Sequence, residues 1–415
     1  MRVTVFGIVA TAFYLLIDLY VFWVLRSYLL STGVRRAGLI QGVYLALGIG
    51  SLLFFFFIPK LVQTEGWKPI GMTVFALVVS WFLARGVASL FFLADDIRRL
   101  LQWGGIRAYR MATSTAGVDS AVSRSVFLSW MGILAGSGLL GILVYGFGNK
   151  YRYEVRRQKI RSPKLPESFE GLKIVQLSDI HVGSFDDPKA VARGIEKAIS
   201  LNPDLIVFTG DLVNNMAKEV GEYEKIFSRL HAPLGIFSIL GNHDYGDYIA
   251  WETADQKSEN LQQLKSIHER MGWRLLLNEN VTIRRGDQSI VLIGVENWSS
   301  RANFKRYGDL ALAYEGVEPS QFQILLSHDP SHFEAEVPKS YPGIDLTLSG
   351  HTHGMQFGLE VPGFRWSPVQ YVYNCWAGHY EQGSQQLYVN RGFGFLGYPG
   401  RVGILPEITL LELTS

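Results

Sequence analysis

The sequence has a single cysteine, Cys375, among its 415 residues. No disulfide can therefore form within the chain, and a metal cage built from several thiolates is excluded. A strong charge of one sign is also lacking, because the formal net charge is only +2. Without a basic field of the kind that binds phosphate backbones, no nucleic-acid partner is expected. The chain is long enough for two domains, each with its own core.

The first 150 residues contain four long apolar runs, at about 4–25, 37–58, 70–94 and 126–147. Each run approaches the ~20 residues that a helix needs to cross the hydrocarbon of a bilayer. Buried helices of a soluble core would be shorter and would carry a polar stripe, which these runs lack. The sequence therefore predicts an integral membrane protein with an all-α anchor of four transmembrane helices over residues 1–150.

Two ionisable residues lie inside these runs, Asp18 in the first and Arg85 in the third. In an up-and-down bundle the first and third helices run parallel, and both residues lie near the C-terminal end of their run. Because an unpaired charge in lipid is costly, we expect them to form an ion pair. A binding cavity lined by either residue is the alternative. The same two residues are the only support for a transporter built on the four helices.

The composition changes after Gly148, where a run of basic residues and two prolines lead into a soluble domain predicted over residues 151–415. Lys and Arg are nearly equal on the two sides of the membrane, eight against nine, so their count does not decide the orientation. The basic residues at 152–161 alternate like a first β-strand, which makes them part of the fold. Residues 123–128 resemble a degraded twin-arginine export signal. These two features favour an extracytoplasmic domain.

Five short apolar segments of the soluble domain are each followed at once by Asp, Asn or His. Such segments are typical of strands that are buried on both faces of a sheet. The predicted strands are residues 172–177, 204–209, 236–240, 324–327 and 345–349. Helical stretches between them, at 188–200 and about 219–230, favour a layered α/β architecture. Ligands gather beyond the carboxyl ends of the strands in such sheets, so the five strand ends are expected to converge.

The clusters that follow these strands contain the residue types of a transition-metal site. They are Ser178-Asp179-Ile180-His181, Gly210-Asp211, Gly241-Asn242-His243-Asp244, His328-Asp329 and Gly350-His351-Thr352-His353-Gly354. Carboxylate oxygens and imidazole nitrogens suit Mn, Fe, Zn or Co. Asp179 and His181 can turn toward one ion, and a carboxylate such as Asp211 can bridge two. One such residue at a strand end is more often a turn or capping residue, but five clusters together indicate a metal centre.

The order of these clusters resembles the calcineurin-like metallophosphoesterase superfamily, whose pattern is D-x-H, G-D, G-N-H-D/E, a single His and G-H-x-H. Every element is present, and the resemblance covers about residues 170–415. The closing segments, 387–394 and 406–408, are similar to those of membrane-associated bacterial phosphoesterases. With its multispan anchor, the chain resembles transmembrane proteins with a metallophosphoesterase domain. Asn390 and Arg391, in the closing segment, serve either the rim of the pocket or the fold.

The resemblance implies a four-layer α/β/β/α sandwich in the bacterial plasma membrane, with two divalent metal ions (Mn, Fe, Zn or Co). The seven metal ligands would be Asp179, His181 and His353 for the first ion, Asn242, His328 and His351 for the second, and Asp211 for both. His243 would contact the phosphate and assist the leaving group, and Asp244 would orient His243. The implied reaction is hydrolysis of a phosphate mono- or diester by attack of a metal-bridging hydroxide.

The anchor favours a lipid-linked or cell-envelope phosphate ester, since it keeps the enzyme at the bilayer, and membrane lipids are the other expected partners. Some relatives that resemble this subgroup cleave a nucleotide-sugar lipid pyrophosphate. The alternative is a catalytically silent membrane receptor or scaffold that retains the fold. Replacement of metal-ligand residues would favour that alternative, but every ligand position of the pattern carries the expected residue in this sequence. The sequence predicts no particular oligomeric state.

Overall fold

A computed structural model describes residues 5–63, 68–113 and 122–415 of the chain. The chain forms two compact units, Met1–Tyr145 and Gly146–Ser415, which are described separately below. These limits lie a few residues before the domain boundary predicted at residue 150. The start of the first predicted membrane run, at residue 4, lies outside the described residues.

The first unit consists of α1 (Val5–Ser31), α2 (Ala37–Gln63), α3 (Lys68–Thr113) and the greater part of α4 (Val126–Gly146). All four helices are long and apolar enough to cross a membrane, as the sequence predicted. Helix α3 extends well beyond the apolar run at 70–94, so the loop predicted over 95–125 is wrong for residues 95–113.

The extension of α3 begins at two acidic residues, Asp95 and Asp96. Each pairs with the arginine three positions later, at 2.8 Å for Asp95 with Arg98 and 2.9 Å for Asp96 with Arg99. Residues three apart are neighbours on a helix surface, so these pairs stabilise the helical conformation where the apolar run ends.

The predicted ion pair between Asp18 and Arg85 is present, and both side chains are buried in the bundle. The rings of Tyr14 and Trp81 lie over the guanidinium, with centroids 4.7 Å and 5.3 Å from its central carbon. Arg85 also lines a cavity of about 180 Å³ whose other walls are mostly apolar. The two alternatives left open by the sequence, a pair and a cavity, therefore occur together at Arg85.

Asp18→Asn is expected to lower the melting temperature of the full chain in detergent, because it leaves the guanidinium of Arg85 buried without its counter-ion. Removing one partner of a buried pair typically costs about 3–5 kcal/mol. The double variant Asp18→Asn/Arg85→Gln should recover most of the loss, since no charge is then left unpaired. Thermal unfolding followed by tryptophan fluorescence measures both, with the exposed Arg36→Gln as control. Single variants as stable as the control would contradict an energetic role for the pair.

The second unit is a mixed α/β domain. Its strands are β1 (Glu154–Arg161), β2 (Lys173–Leu177), β3 (Leu205–Phe208), β4 (Ile236–Ser238), β5 (Arg274–Leu275), β6 (Glu279–Arg285), β7 (Gln288–Gly294), β8 (Gln323–Leu326), β9 (Leu346–Ser349), β10 (Leu359–Val361), β11 (Phe364–Trp366), β12 (Gly378–Gln382), β13 (Gln385–Val389) and β14 (Glu407–Thr414). Its helices are α5 (Pro188–Ile199), α6 (Glu224–Phe227), α7 (Ala254–Arg270), α8 (Leu310–Ala313), α9 (Ser331–Ala335) and α10 (Val337–Ser340). The five strands predicted before the polar clusters correspond to β2, β3, β4, β8 and β9.

The strands form two six-stranded sheets, in the orders β1-β14-β2-β3-β4-β5 and β12-β13-β9-β8-β7-β6, and a separate ribbon, β10-β11. Strands β2 to β5 are parallel, and so are β7, β8, β9 and β13. The inner faces of the sheets share one apolar core, to which Val207, Leu292 and Leu348 belong. Helices α5 to α7 cover the outer face of the first sheet, and α8 to α10 cover that of the second. The predicted α/β/β/α sandwich is confirmed.

Of the two helices predicted in this domain, one is confirmed and the other does not form. The helix at 188–200 is α5, which begins after Asp187, whose side chain accepts the backbone N–H of Ala190. This is an N-cap, followed by the proline that is common in a first turn. The helix at 219–230 is wrong, because only α6 and short 3-10 turns form there. Gly221 has φ +44°, a left-handed conformation that interrupts a right-handed helix.

Candidate metal centre

The predicted ligands are brought together at the carboxyl ends of five parallel strands from both sheets. Asp179 and His181 follow β2, Asp211 follows β3, Asn242 follows β4, His328 follows β8, and His351 and His353 follow β9. The donor atoms form two groups, in each of which they lie within 4.8 Å of one another: Asp179, His181 and His353, and Asp211, His328 and His351.

The first group lies inside the protein, and His353 is its most exposed member at 8%. The Nε2 atoms of His181 and His353 are 3.0 Å apart, and Asp179 Oδ1 is 3.3 Å from His353 Nε2. All three side chains are buried. Their donor atoms therefore point at one small volume.

The second group is completed by the side-chain amide of Asn242. Its Oδ1 lies 3.1 Å from His328 Nε2 and 2.8 Å from His351 Nδ1, and these two ring nitrogens are 3.2 Å apart. The opposite nitrogen of His328, Nδ1, is 2.7 Å from the carbonyl oxygen of Thr209. A carbonyl only accepts, so Nδ1 carries the proton and donates, which leaves the lone pair of Nε2 directed into the group.

Asp211 lies between the two groups. Its Oδ2 is 3.5 Å from His181 Nε2 and 3.2 Å from His328 Nε2, one histidine of each group. Its Oδ1 accepts the backbone N–H of His243 at 2.9 Å, which orients the carboxylate. One carboxylate thus faces both sets of donors, as a ligand shared by two ions would.

These donors fit two divalent metal ions. Carboxylate, amide and imidazole donors of this mixture suit borderline cations such as Mn, Fe, Zn and Co. Burial lowers the pKa of His181 to about 3 and that of His351 to about 4, which favours the neutral imidazole that binds metals. Burial acts in the same direction on His328, but the carboxylate of Asp211 outweighs it and raises the pKa to about 10. A cation at the same donors would compete with that proton.

The backbone at these positions is strained. Five predicted ligands have φ between 47° and 72°, in the left-handed region: Asp179, His181, Asp211, His351 and His353. Residues other than glycine rarely adopt this conformation, and clusters of such residues are found at active sites. Space is also short, because a Cβ on Gly350 would overlap the hydroxyl of Ser178 and the carboxylate of Asp179. The strand ends are therefore bent sharply to turn their side chains inward.

His243 is half-buried at the edge of the centre, with its ring centroid 4.9 Å from that of His181. Its Nδ1 lies 2.8 Å from the carbonyl oxygen of Asn214, so it is the Asn214 carbonyl that orients the ring. The predicted orienting role of Asp244 is wrong. Asp244 instead accepts backbone N–H groups of Asp211, Leu212, Val213 and Gly241, at 2.8 to 3.2 Å.

Asp244 therefore positions the loop that carries Asp211, and acts on the centre through the backbone. Burial and the neighbouring charge of Asp211 raise the pKa of Asp244 to about 7. Because both of its oxygens accept these backbone N–H groups, the carboxylate of Asp244 is not available to the ring of His243.

Two tyrosines around the centre, Tyr373 and Tyr248, were not predicted, whereas Asp329 belongs to the predicted cluster His328-Asp329. Tyr373 places its hydroxyl 2.9 Å from His351 Nε2, and Asp329 Oδ2 is 3.5 Å from the same nitrogen. Such partners hold the ring of a metal-binding histidine in place. Tyr248 bonds the amide of Asn242 at 2.8 Å, and its ring centroid lies 4.6 Å from that of His243. Tyr373 lies outside every motif, so no sequence signal marks it.

The remaining polar residues of interest serve the fold. Arg391 is buried and pairs with Glu407 at 2.6 Å and with Glu360 at 2.7 Å, and Asn390 bonds Thr409 at 2.8 Å. Of the two alternatives for Asn390 and Arg391, the structural one therefore applies. The histidines outside the motifs belong to neither donor group: His231, His268, His332 and His379.

Comparison with known proteins identifies the family of the chain. Residues 172–355 match the family model described as calcineurin-like phosphoesterase, and residues 1–149 match one described as a probable calcineurin-like phosphoesterase transmembrane domain. The second match, together with the four apolar helices, makes this an integral membrane protein.

Among curated proteins, the uncharacterized metallophosphoesterase YkuE of Bacillus subtilis is 33% identical over 306 residues, covering 71% of this chain and 98% of its own. A transmembrane protein with metallophosphoesterase domain from Danio rerio is 30% identical, covering 74% and 68%. UDP-2,3-diacylglucosamine pyrophosphatase LpxG of Chlamydia trachomatis is 29% identical, covering 61% and 88%. The chain belongs to the calcineurin-like phosphoesterases and is a membrane-anchored, metal-dependent phosphoester hydrolase.

Proposed function

We propose that this protein hydrolyses a lipid-linked phosphate ester or pyrophosphate at a centre of two divalent ions, with His243 as the catalytic acid. The observation that carries the proposal is the position of Asp211 Oδ2, 3.5 Å and 3.2 Å from one histidine of each donor group. A single carboxylate between two sets of ligands is the arrangement expected of a two-metal hydrolase.

In this proposal Asp179, His181 and His353 hold the first ion and Asn242, His328 and His351 the second, with Asp211 shared. The ions would supply Lewis acidity toward the phosphate oxygens and an activated water for in-line attack. The Nδ1–H of His243 donates to Asn214, which leaves Nε2 for the substrate. In its protonated form, His243 would donate from Nε2 to the departing oxygen as the phosphorus–oxygen bond breaks.

The substrate class is supported by the anchor and by one relative. The four helices keep the hydrolase at a bilayer, where lipid-linked phosphates are concentrated. One relative is named as a pyrophosphatase of UDP-2,3-diacylglucosamine, which is a lipid-linked pyrophosphate. Manganese, iron, zinc and cobalt are the metals that the donor set favours.

The test is a screen of the full-length chain in nanodiscs, stripped of metal and reloaded with each metal in turn. It compares phosphate monoesters, phosphodiesters and lipid pyrophosphates as substrates. We expect metal-dependent release of phosphate or phosphomonoester, fastest with a lipid-linked substrate. Asp287→Ala, on the exposed turn between β6 and β7, should match the wild type, whereas Asp211→Ala should be inactive. Wild-type turnover no greater than that of Asp211→Ala with every metal would favour the silent scaffold.

We also propose that the domain faces the outside of a bacterial plasma membrane. The resemblance of residues 123–128 to an export signal supports this orientation. Residues 154–161 support it as well, because their basic side chains belong to strand β1 and need not be counted among the Lys and Arg residues that set membrane orientation. In a Cys375→Ser background, Asp287→Cys should react with a membrane-impermeant maleimide in intact cells. Labelling only after cell lysis would place the domain in the cytoplasm.

A further inference from the structure

The ribbon β10-β11 has an unusual distribution of polar and apolar side chains. It is an antiparallel hairpin in which Leu359 pairs with Trp366, Glu360 with Arg365 and Val361 with Phe364. The connection is Pro362-Gly363, and Gly363 has φ +79°, as a tight turn with proline followed by glycine requires. Directly paired residues lie on the same face of a ribbon, so the pairing sorts the six side chains into two faces.

The polar face is attached to the domain. Glu360 accepts hydrogen bonds from Arg391 at 2.7 Å and from Arg156 on strand β1 at 3.0 Å. Arg365 bonds the carbonyl of Ala377, and its guanidinium lies 4.9 Å from the ring centroid of Tyr380. These contacts fix which face of the ribbon points inward.

The apolar face points outward. Leu359, Val361 and Phe364 are 51%, 48% and 55% exposed. Trp366, on the same face, has its indole nitrogen 3.4 Å from the hydroxyl of Tyr371, which is 77% exposed. A ribbon on a soluble protein normally buries its apolar face, so the reversed arrangement indicates that this surface is covered by something else.

The chain itself indicates what covers it. Residues 147–153 connect α4 to β1, and a segment of this length spans at most about 25 Å when fully extended. The start of β1 can therefore lie no farther than this from the end of α4. Tryptophan and tyrosine beside aliphatic side chains are typical of surfaces that enter the interface of a bilayer.

We infer that the outward face of the ribbon, formed by Leu359, Val361, Phe364 and Trp366, docks together with the neighbouring Tyr371 on the surface of the bilayer. The ribbon begins six residues after His353 and is connected to it by two arginines. Arg391 donates to Glu360 of the ribbon, and its carbonyl oxygen accepts a hydrogen bond from Arg401. The guanidinium of Arg401 lies 3.2 Å from His353 Nδ1. Docking would therefore hold the metal centre close to the headgroups. The inference concerns a surface and does not require the proposed hydrolysis.

The test uses the full-length chain in nanodiscs, in a Cys375→Ser background, with an environment-sensitive fluorophore on Phe364→Cys or on Val361→Cys. The discs contain phosphatidylglycerol and phosphatidylcholine, with or without bromine on the acyl chains. We expect blue-shifted emission at both positions and the loss of more than half of its intensity in brominated discs. The same fluorophore on Asp287→Cys should emit as in water and should not be quenched.

Emission at both ribbon positions equal to that at Asp287→Cys, from chains with wild-type thermal unfolding, would overturn the inference. So would a blue shift that depends on the number of chains per disc and is unaffected by bromine, because it would identify a second copy as the occupant. Neither readout depends on catalysis, so the result is independent of the activity screen.

Discussion

Asp211→Ala is expected to lose both metal ions and all metal-dependent turnover. Its Oδ2 is the oxygen that faces both donor groups, and no other described carboxylate occupies that position. Changing a residue that merely orients a metal ligand already weakens metal binding by about 10–100-fold. Removal of a ligand shared by two ions should have a larger effect, because both donor groups then lose the carboxylate that faces them.

Metal content by mass spectrometry and turnover, measured on the same preparation, check this prediction. Asp287→Ala, which is exposed and distant from the motifs, should keep two metals per chain. Unfolding must be compared as well, since loss of the whole domain would also release metal. A folded Asp211→Ala chain that keeps two ions would refute the bridging role of Asp211.

His243→Ala is expected to reduce turnover by about 10²–10⁴-fold, the contribution usual for a general acid, while both metal ions remain bound. Its Nδ1 bonds the carbonyl of Asn214, and His243 belongs to neither donor group, so no predicted metal ligand is lost. The backbone N–H of His243, which orients Asp211, survives the substitution. The effect should therefore appear in kcat and leave the metal content unchanged.

The chemical role of His243 gives a sharper readout. A general acid matters most when the departing oxygen is strongly basic. The loss should be large for alkyl and lipid esters and small for p-nitrophenyl esters, whose leaving group needs no proton. His231→Ala, an exposed histidine outside the motifs, should behave as wild type. Equal losses for both kinds of ester, or loss of metal from His243→Ala, would rule out the assignment.

The membrane helices and the ligand-bearing strand ends could be predicted because both are local patterns. A run of apolar residues long enough to cross a bilayer indicates a membrane-spanning helix whatever the rest of the fold is. A buried strand that ends in Asp or His indicates a site because parallel strands share a carboxyl edge. The failed helix at 219–230 is local as well, since Gly221 could have been weighed as a helix breaker.

The partner of His243 shows where local reasoning ends. The adjacent Asp244 is the nearest acid in sequence, yet the ring bonds to Asn214, twenty-nine positions away, while Asp244 bonds to backbone amides. The orientation of a side chain depends on the turn that carries it and on which loop lies opposite. Neither is contained in the spacing of a motif.

The sequence by itself determined that this protein has a membrane anchor and a layered α/β domain with clustered Asp, Asn and His residues. These properties follow from hydrophobicity and residue type along the chain. Only the tertiary structure decided which oxygen of Asp211 faces both groups, that Tyr373 holds His351, and that the ribbon turns Phe364 outward. Those features depend on atoms from distant parts of the chain meeting within a few ångströms, which strand pairing and core packing bring about.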